Sequence, residues 1–213
     1  MPTFSYRLAE TAAPATEPLT LGEMKTHLRV DYAADDSLIL ELIAAARQAA
    51  EQYTGRAFIT RSYSLYMDSW PASGRRQWWD GLREGAAVTT EDSAVFLPCA
   101  PLSSVTRINV YGENGVAAEY AATNYFSDTV GAPGRIVLKD GASAPAPGRV
   151  ANGIEIQFVA GYGTSSSNVP SALRQGMRQI VSHLYQHRGD SAETALSASG
   201  AVLLLQTYRI RSL

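Results

Sequence analysis

Apolar residues change their spacing twice along this chain, and that change constrains the fold more than any other feature. In "DDSLILELIAAARQAAEQYTGR", residues 35–56, the apolar positions Ile39, Leu42, Ile43, Ala46, Ala49, Ala50 and Tyr53 recur at steps of three and four. That spacing places them on one face of a helix. From residue 58 the step becomes two, and Tyr63, Leu65 and Met67 alternate with other residues in "FITRSYSLYMDSW", the pattern of a half-buried strand. "AVFLPCAPLSSVTRINVYGENGVAAEY" predicts a short strand, a proline-bounded bend, a longer strand, a turn at Glu113-Asn114-Gly115 and another strand. Asn-Gly between strands is a hairpin signal. Two more strands are expected at 134–139 and 153–160, with the loop "GASAPAPGR" between them. The helical step then returns in "VPSALRQGMRQIVSHLYQHRGD", through Leu173, Met177, Ile180, Val181, Leu184 and Tyr185.

The order helix, helix, strands, helix argues for an α+β fold rather than an alternating α/β one. The expected architecture is a small helical bundle of two N-terminal helices plus a C-terminal helix, with an inserted antiparallel β-block and an extended C-terminal tail. Expected boundaries are a leader at 1–18, a helical domain from 19–57 and 168–189, a β-domain at 58–167, and a tether with a terminal arm at 190–213. Local signals mark the helix ends. Thr20 followed by Glu23 forms a capping box. Asp35 or Asp36 can cap the second helix and favour its positive end. Gly55 stands where a left-handed C-terminal residue is wanted, and Pro170 suits a first helical turn. Leu38 and Leu40 widen the apolar surface of the long helix beyond one stripe, which fits either core packing or contact with a neighbouring subunit.

The chain ends in "AVLLLQTYRIRSL", an apolar run followed by a basic, aromatic strip. Termini are usually frayed and polar unless something ties them down. The preceding "DSAETALSASG" reads as a flexible tether. The tail is therefore expected either to dock on a partner or to pack on its own domain as a strand or short helix.

Chemistry is sparse. The chain has 213 residues, three histidines, one cysteine and a formal charge of −2. A chain of that length can bury roughly 70% of its unfolded surface and needs no disulfide or metal to fold. The near-neutral charge gives no global footprint for nucleic acid. Cys99, in "LPCAPL", reads as a nucleophile or as a small buried thiol between prolines. One cysteine and no leading apolar segment fit a protein made in the cytoplasm. His183 and His187 share an i, i+4 spacing, but "HLYQH" lacks the glutamate of a zinc-protease motif, and no third ligand is evident, so no metal and no cofactor are expected. No phosphate loop or hydrolase nucleophile motif occurs, so the chain does not read as an enzyme. "SGRRQWWDGLREG", residues 73–85, sets Arg75, Arg76 and Arg83 around Trp78 and Trp79. Bases can stack on such aromatics, but Trp and Arg are also enriched in protein interfaces, and a protein-contact loop is the expectation.

Several stretches resemble one family. "LTLGEMKTHLRVDYAADDSLILELIAAARQAAEQYTGRAFITRSYSLYMDSWP" resembles the start of the gp6-like head-tail connector proteins of tailed phages, with its Lys25–Asp31 core, acidic cap, long helix and Tyr-Thr-Gly-Arg at residues 53–56. "LPCAPLSSVTRINVYGENG" is similar to that family's strand region, and "GIEIQFVAGYG" with the last helix to its closing elements. The resemblance covers residues 19–190, in the longer subgroup whose β-block lies between helices; gene transfer agents use similar adaptors. It implies a structural protein of the virion neck, forming a ring of twelve copies beneath the portal protein. The ring extends the DNA channel, passes DNA without sequence-specific binding, and offers a platform to the next neck or tail-completion protein. No membrane contact is implied. The residues at 71–93 and beyond 190 depart from the family pattern. With that role in view, Val202, Leu203, Leu204, Leu205, Tyr208, Arg209, Ile210 and Arg211 are expected to form a portal-docking arm, and Leu38, Leu40 and Arg47 a ring interface. A stopper or tail-terminator ring, and a DNA-binding packaging factor using "RRQWWDGLR", are the alternatives.

Overall fold

The computed structural model describes residues 6–71 and 94–210. The chain divides into two compact units: Met1–Ala12 with Ser62–Val159, and Ala13–Arg61 with Ala160–Leu213. The first is a β-unit and the second is helical, so the fold is α+β.

The helical unit is built on α1 (Leu21–Leu28), α2 (Asp36–Thr54) and α3 (Ser171–Gln186). Thr20 and Glu23 make the reciprocal capping box in front of α1, satisfying two of the donors that a helix start leaves open. Gly55 closes α2 in the left-handed region, φ 70°, where a Cβ is disfavoured. The apolar faces of α2 and α3 meet in one core with Leu19, Met24, Ile39, Ile43, Met177 and Ile180, together with Phe58 and Ile59 after α2. Complete burial of such side chains contributes about 1.5–3 kcal/mol each.

The segment after residue 190 corrects the expected tether and extended arm. It folds as two short helices, α4 (Ala192–Ala198) and α5 (Val202–Leu205), followed by a 3-10 turn at Gln206–Tyr208. Ser191 caps α4 by accepting from the Thr194 amide at 3.1 Å. Ala195, Ala201 and Leu205 are fully buried in the helical core. The physical reason is steric: the small residues that resemble a linker are the ones that let α4 and α5 lie close to α2 and α3.

The β-unit contains a five-stranded sheet in the order β1-β2-β8-β4-β5 and a three-stranded sheet in the order β3-β7-β6. The strands are β1 (Tyr6–Glu10), β2 (Arg61–Met67), β3 (Ala94–Leu97), β4 (Leu102–Tyr111), β5 (Ala117–Glu119), β6 (Tyr125–Asp128), β7 (Gly134–Leu138) and β8 (Ile154–Ala160). Tyr63, Leu65 and Met67 are buried, as their alternation predicts. The Asn114-Gly115 turn joins β4 to β5, with Val110 opposite Ala118. Part of the expected leader is a strand, because Tyr6–Glu10 pairs antiparallel with β2. The sequence reading also lacks β6, a four-residue strand too short to show a period.

Candidate functional site

The four residues of the Tyr-Thr-Gly-Arg motif converge on the end of the chain. The Ile210 amide donates to the Thr54 carbonyl at 2.9 Å. Ile210 also lies over Gly55, 3.5 Å from where a Cβ would stand. The Arg56 guanidinium donates to the Tyr208 carbonyl at 2.5 Å and to the Tyr162 hydroxyl at 3.2 Å. Arg209 sits over the Tyr53 ring, 4.9 Å from its centroid, a cation–π contact. On α3, Gly176 gives Leu205 its seat: a Cβ at that position would lie 3.0 Å from the leucine Cδ2. Leu205, Tyr208, Arg209 and Ile210, expected to reach a portal, are thus held within their own subunit. Val202 and Leu204 are half-buried, Leu203 is 70% exposed, and Arg211 lies outside the described residues.

Arg47 also departs from its expected role. It is buried and donates to Glu17 at 2.8 Å and to Glu51 at 2.9 Å. Arg61 donates twice to the same Glu51 carboxylate, at 3.1 and 2.8 Å, and the Phe58 amide donates at 2.7 Å. Two buried arginines can be tolerated only beside opposite charge, so Arg47 belongs to an internal ion-pair network. Leu38 is half-buried, whereas Leu40 is 49% exposed. Arg75, Arg76, Trp78, Trp79 and Arg83, expected to contact a protein, lie outside the described residues.

Asp35 does not cap α2 with its side chain. Its carboxylate accepts instead from the hydroxyls of Tyr185 (2.5 Å) and Tyr32 (3.2 Å). The Tyr185 bond leads the causes that hold Asp35 below the usual carboxylate range. His183 and His187 stack at 4.3 Å, and His183 Nε2 lies 2.8 Å from Asp190. Among the described residues no group of three His, Cys, Asp or Glu side chains could hold a metal ion. Cys99 is half-buried, with φ 63°.

The densest polar cluster lies in the β-unit and was not anticipated. Glu155 on β8 is 5% exposed. Its carboxylate accepts from Ser64 (3.2 Å) and Tyr66 (3.0 Å) on β2, from Asn109 (3.0 Å) and Tyr111 (2.8 Å) on β4, and from Gln157 (3.0 Å) on its own strand. Burial pushes the carboxyl up, but the donations from Gln157, Asn109, Tyr111 and Tyr66 outweigh it and lower its pKa to about 2. A carboxylate ionised near neutral pH and stitched to three strands fixes their register. A general acid needs a proton to give near neutral pH, which this group lacks.

Some large apolar side chains face outward. On the three-stranded sheet, Phe96 lies opposite Arg135 and Phe126 opposite Val137. Phe96 is 48% and Phe126 61% exposed. Leu40 and Leu203 are among the other exposed large apolar side chains.

Residues 18–75 match the model of the phage gp6-like head-tail connector protein family. No curated protein sequence matches the chain significantly. Among the solved structures similar to the chain, three agree over nearly its whole length, each match covering 97% of both chains. The neck of an empty gene transfer agent particle, computed with C6 symmetry, gives a TM-score of 0.75 at 27% identity. The virion of a native gene transfer agent particle gives 0.72 at 26%. The neck of a native particle, computed with C12 symmetry, gives 0.70 at 26%. The resemblance to the gp6-like head-tail connector family read from the sequence is borne out.

Proposed function

We propose that this chain is a structural head-tail connector that sits in the neck of a tailed phage or gene transfer agent particle. Copies form a closed ring beneath the portal, extend the DNA channel and offer a platform to the next neck protein. The observation that carries this reading is agreement across 97% of both chains with proteins of gene transfer agent necks and virions. The gp6-like match at residues 18–75 supports it independently. Twelve copies is the ring number that the C12 reconstruction of a similar neck favours. The chain works by shape and surface rather than by catalysis: among the described residues, the buried charged groups Arg47, Glu51 and Glu155 are used in internal networks.

Portal attachment falls to the exposed side of the C-terminal clasp, centred on Leu203 with the chain end beyond it. The test mixes purified chain with the portal ring from the same genome and measures the complex by light scattering. The expected result is a gain of one ring's mass. Leu203→Glu should weaken that gain while leaving the melting temperature unchanged, because its side chain is 70% exposed. Absence of binding by the wild-type chain overturns the portal assignment.

A further inference from the structure

We infer that the outer face of the three-stranded sheet, centred on Phe96 and Phe126, is the seat for α2 of the next copy in the ring. The inference rests on the connector reading above and adds which surfaces meet. Antiparallel partners share a face of a sheet, so the register puts Phe96, Arg135 and Asp128 in one row and Ala94, Val137 and Phe126 in the next. The opposite face carries Val95, Leu97 and Ile136, all buried. The sheet therefore has an inner apolar face that the subunit covers and an outer face on which Ala94 is buried, Arg135 and Val137 are half-buried, and Phe96 and Phe126 stay exposed. The charges on the open face neutralise each other, with Arg135 Nε donating to Asp128 at 3.0 Å.

The complementary surface is the outward side of α2. Its exposed positions are Ser37, Leu40, Glu41, Gln48 and Gln52, with Ala44 and Ala45 half-buried beside them. Glu41 alone is charged. A helix side meant for water usually carries many more charges, whereas the centre of a protein interface is depleted of them. A ring closes through a heterologous contact, in which each copy uses two different faces. Similar chains occupy necks with C6 and C12 symmetry, which sets identical copies side by side. One charge-poor helix side bearing a leucine and one charge-neutral sheet face bearing two phenylalanines make such a pair.

The test uses particles from the producing host that carry Leu40→Cys and Phe126→Cys in one chain, with Cys99→Ser to remove the native thiol. A short bis-maleimide should convert the chain into a ladder of covalent multimers, while each single-cysteine chain gives none. Particles that contain the chain but yield no ladder overturn the proposed contact and leave the connector reading standing. A cross-link from Phe126→Cys to a chain of another mass assigns the sheet to a different neck protein and also overturns it. If wild-type particles lack the chain, both readings fall. As a second measurement, Phe126→Asp should leave far-ultraviolet circular dichroism and melting unchanged and reduce incorporation into particles by roughly tenfold or more, the scale of a central interface residue; wild-type incorporation would count against the contact.

Discussion

At the scale of single residues, the few buried charges are each met by partners, Arg47 and Glu51 by one another and Glu155 by hydroxyl and amide donors. Glu155 shows the energetic consequence. Its folded pKa of about 2 lies below the ordinary value of 4.5, so ionisation stabilises the β-unit. That contribution is fully present above pH ~4.5 and is lost as pH falls through about 2. The shift corresponds to an upper limit of about 3 kcal/mol at neutral pH. Glu155→Gln should therefore destabilise the β-unit by about 2–3 kcal/mol at pH 7, since donors that now meet a carboxylate would meet an amide. The penalty should shrink at pH 3. Tryptophan fluorescence during urea unfolding is a local readout, because all three tryptophans lie between residues 70 and 79. Equal stability of wild type and variant at pH 7 would show that the cluster contributes nothing. This site was not legible in the sequence: its donors come from β2, β4 and β8, and the residues between them carry no common pattern. The Thr20–Glu23 capping box was legible because both partners stand within one turn.

At the scale of elements, the C-terminal clasp is the feature most changed by the structure. The apolar run at residues 202–205 suggested an arm because nothing nearby in sequence could cover it. Gly176 on α3 seats Leu205, and the motif at residues 53–56, more than a hundred residues upstream, holds Tyr208 and Ile210 just beyond the run. A usable signal was present: Ala192, Ala195 and Leu196 fall at three and four residue steps, and so do Ala201 and Leu205. Small residues hid it, because a helix that must approach closely looks by composition like a linker. Leu205 is fully buried, so Leu205→Ala should cost about 3 kcal/mol in the helical unit, a transfer loss plus a cavity. Helical circular dichroism on heating measures that loss, and an unchanged midpoint would mean that α5 is not part of the core. Limited chymotrypsin digestion supplies a second reading. Leu203, Leu204, Leu205 and Tyr208 should resist cleavage in the wild type and become cut in Leu205→Ala. Rapid cleavage of the wild type at those sites would restore the tether.

At the scale of the whole molecule, charge decides between a ring that surrounds DNA and a factor that grips it. Phosphate binding grows with each lysine or arginine that displaces counterions, and it falls steeply with salt. This chain has 18 basic and 20 acidic residues. Many arginines are already matched: Arg47 and Arg61 to Glu51, Arg174 and Arg178 to Glu23, and Arg135 to Asp128. Such pairs leave little positive potential to attract a duplex. A channel wall that lets DNA slide needs that economy, whereas a packaging factor needs the reverse. The α+β order and the two long helices could be read from period alone, but this balance acquires meaning only when the pairs are seen in place. The expected outcome is weak duplex binding at 50 mM salt, with a shallow slope in fluorescence anisotropy as salt rises to 200 mM, about the range over which a phosphate-gripping protein loses affinity by orders of magnitude. Assembly of copies should change little over the same range, since the proposed contact joins apolar surfaces that salt does not screen. Tight binding at low salt that collapses by 200 mM would instead favour a DNA-contacting role and assign the basic stretch at residues 75–83 to the phosphates.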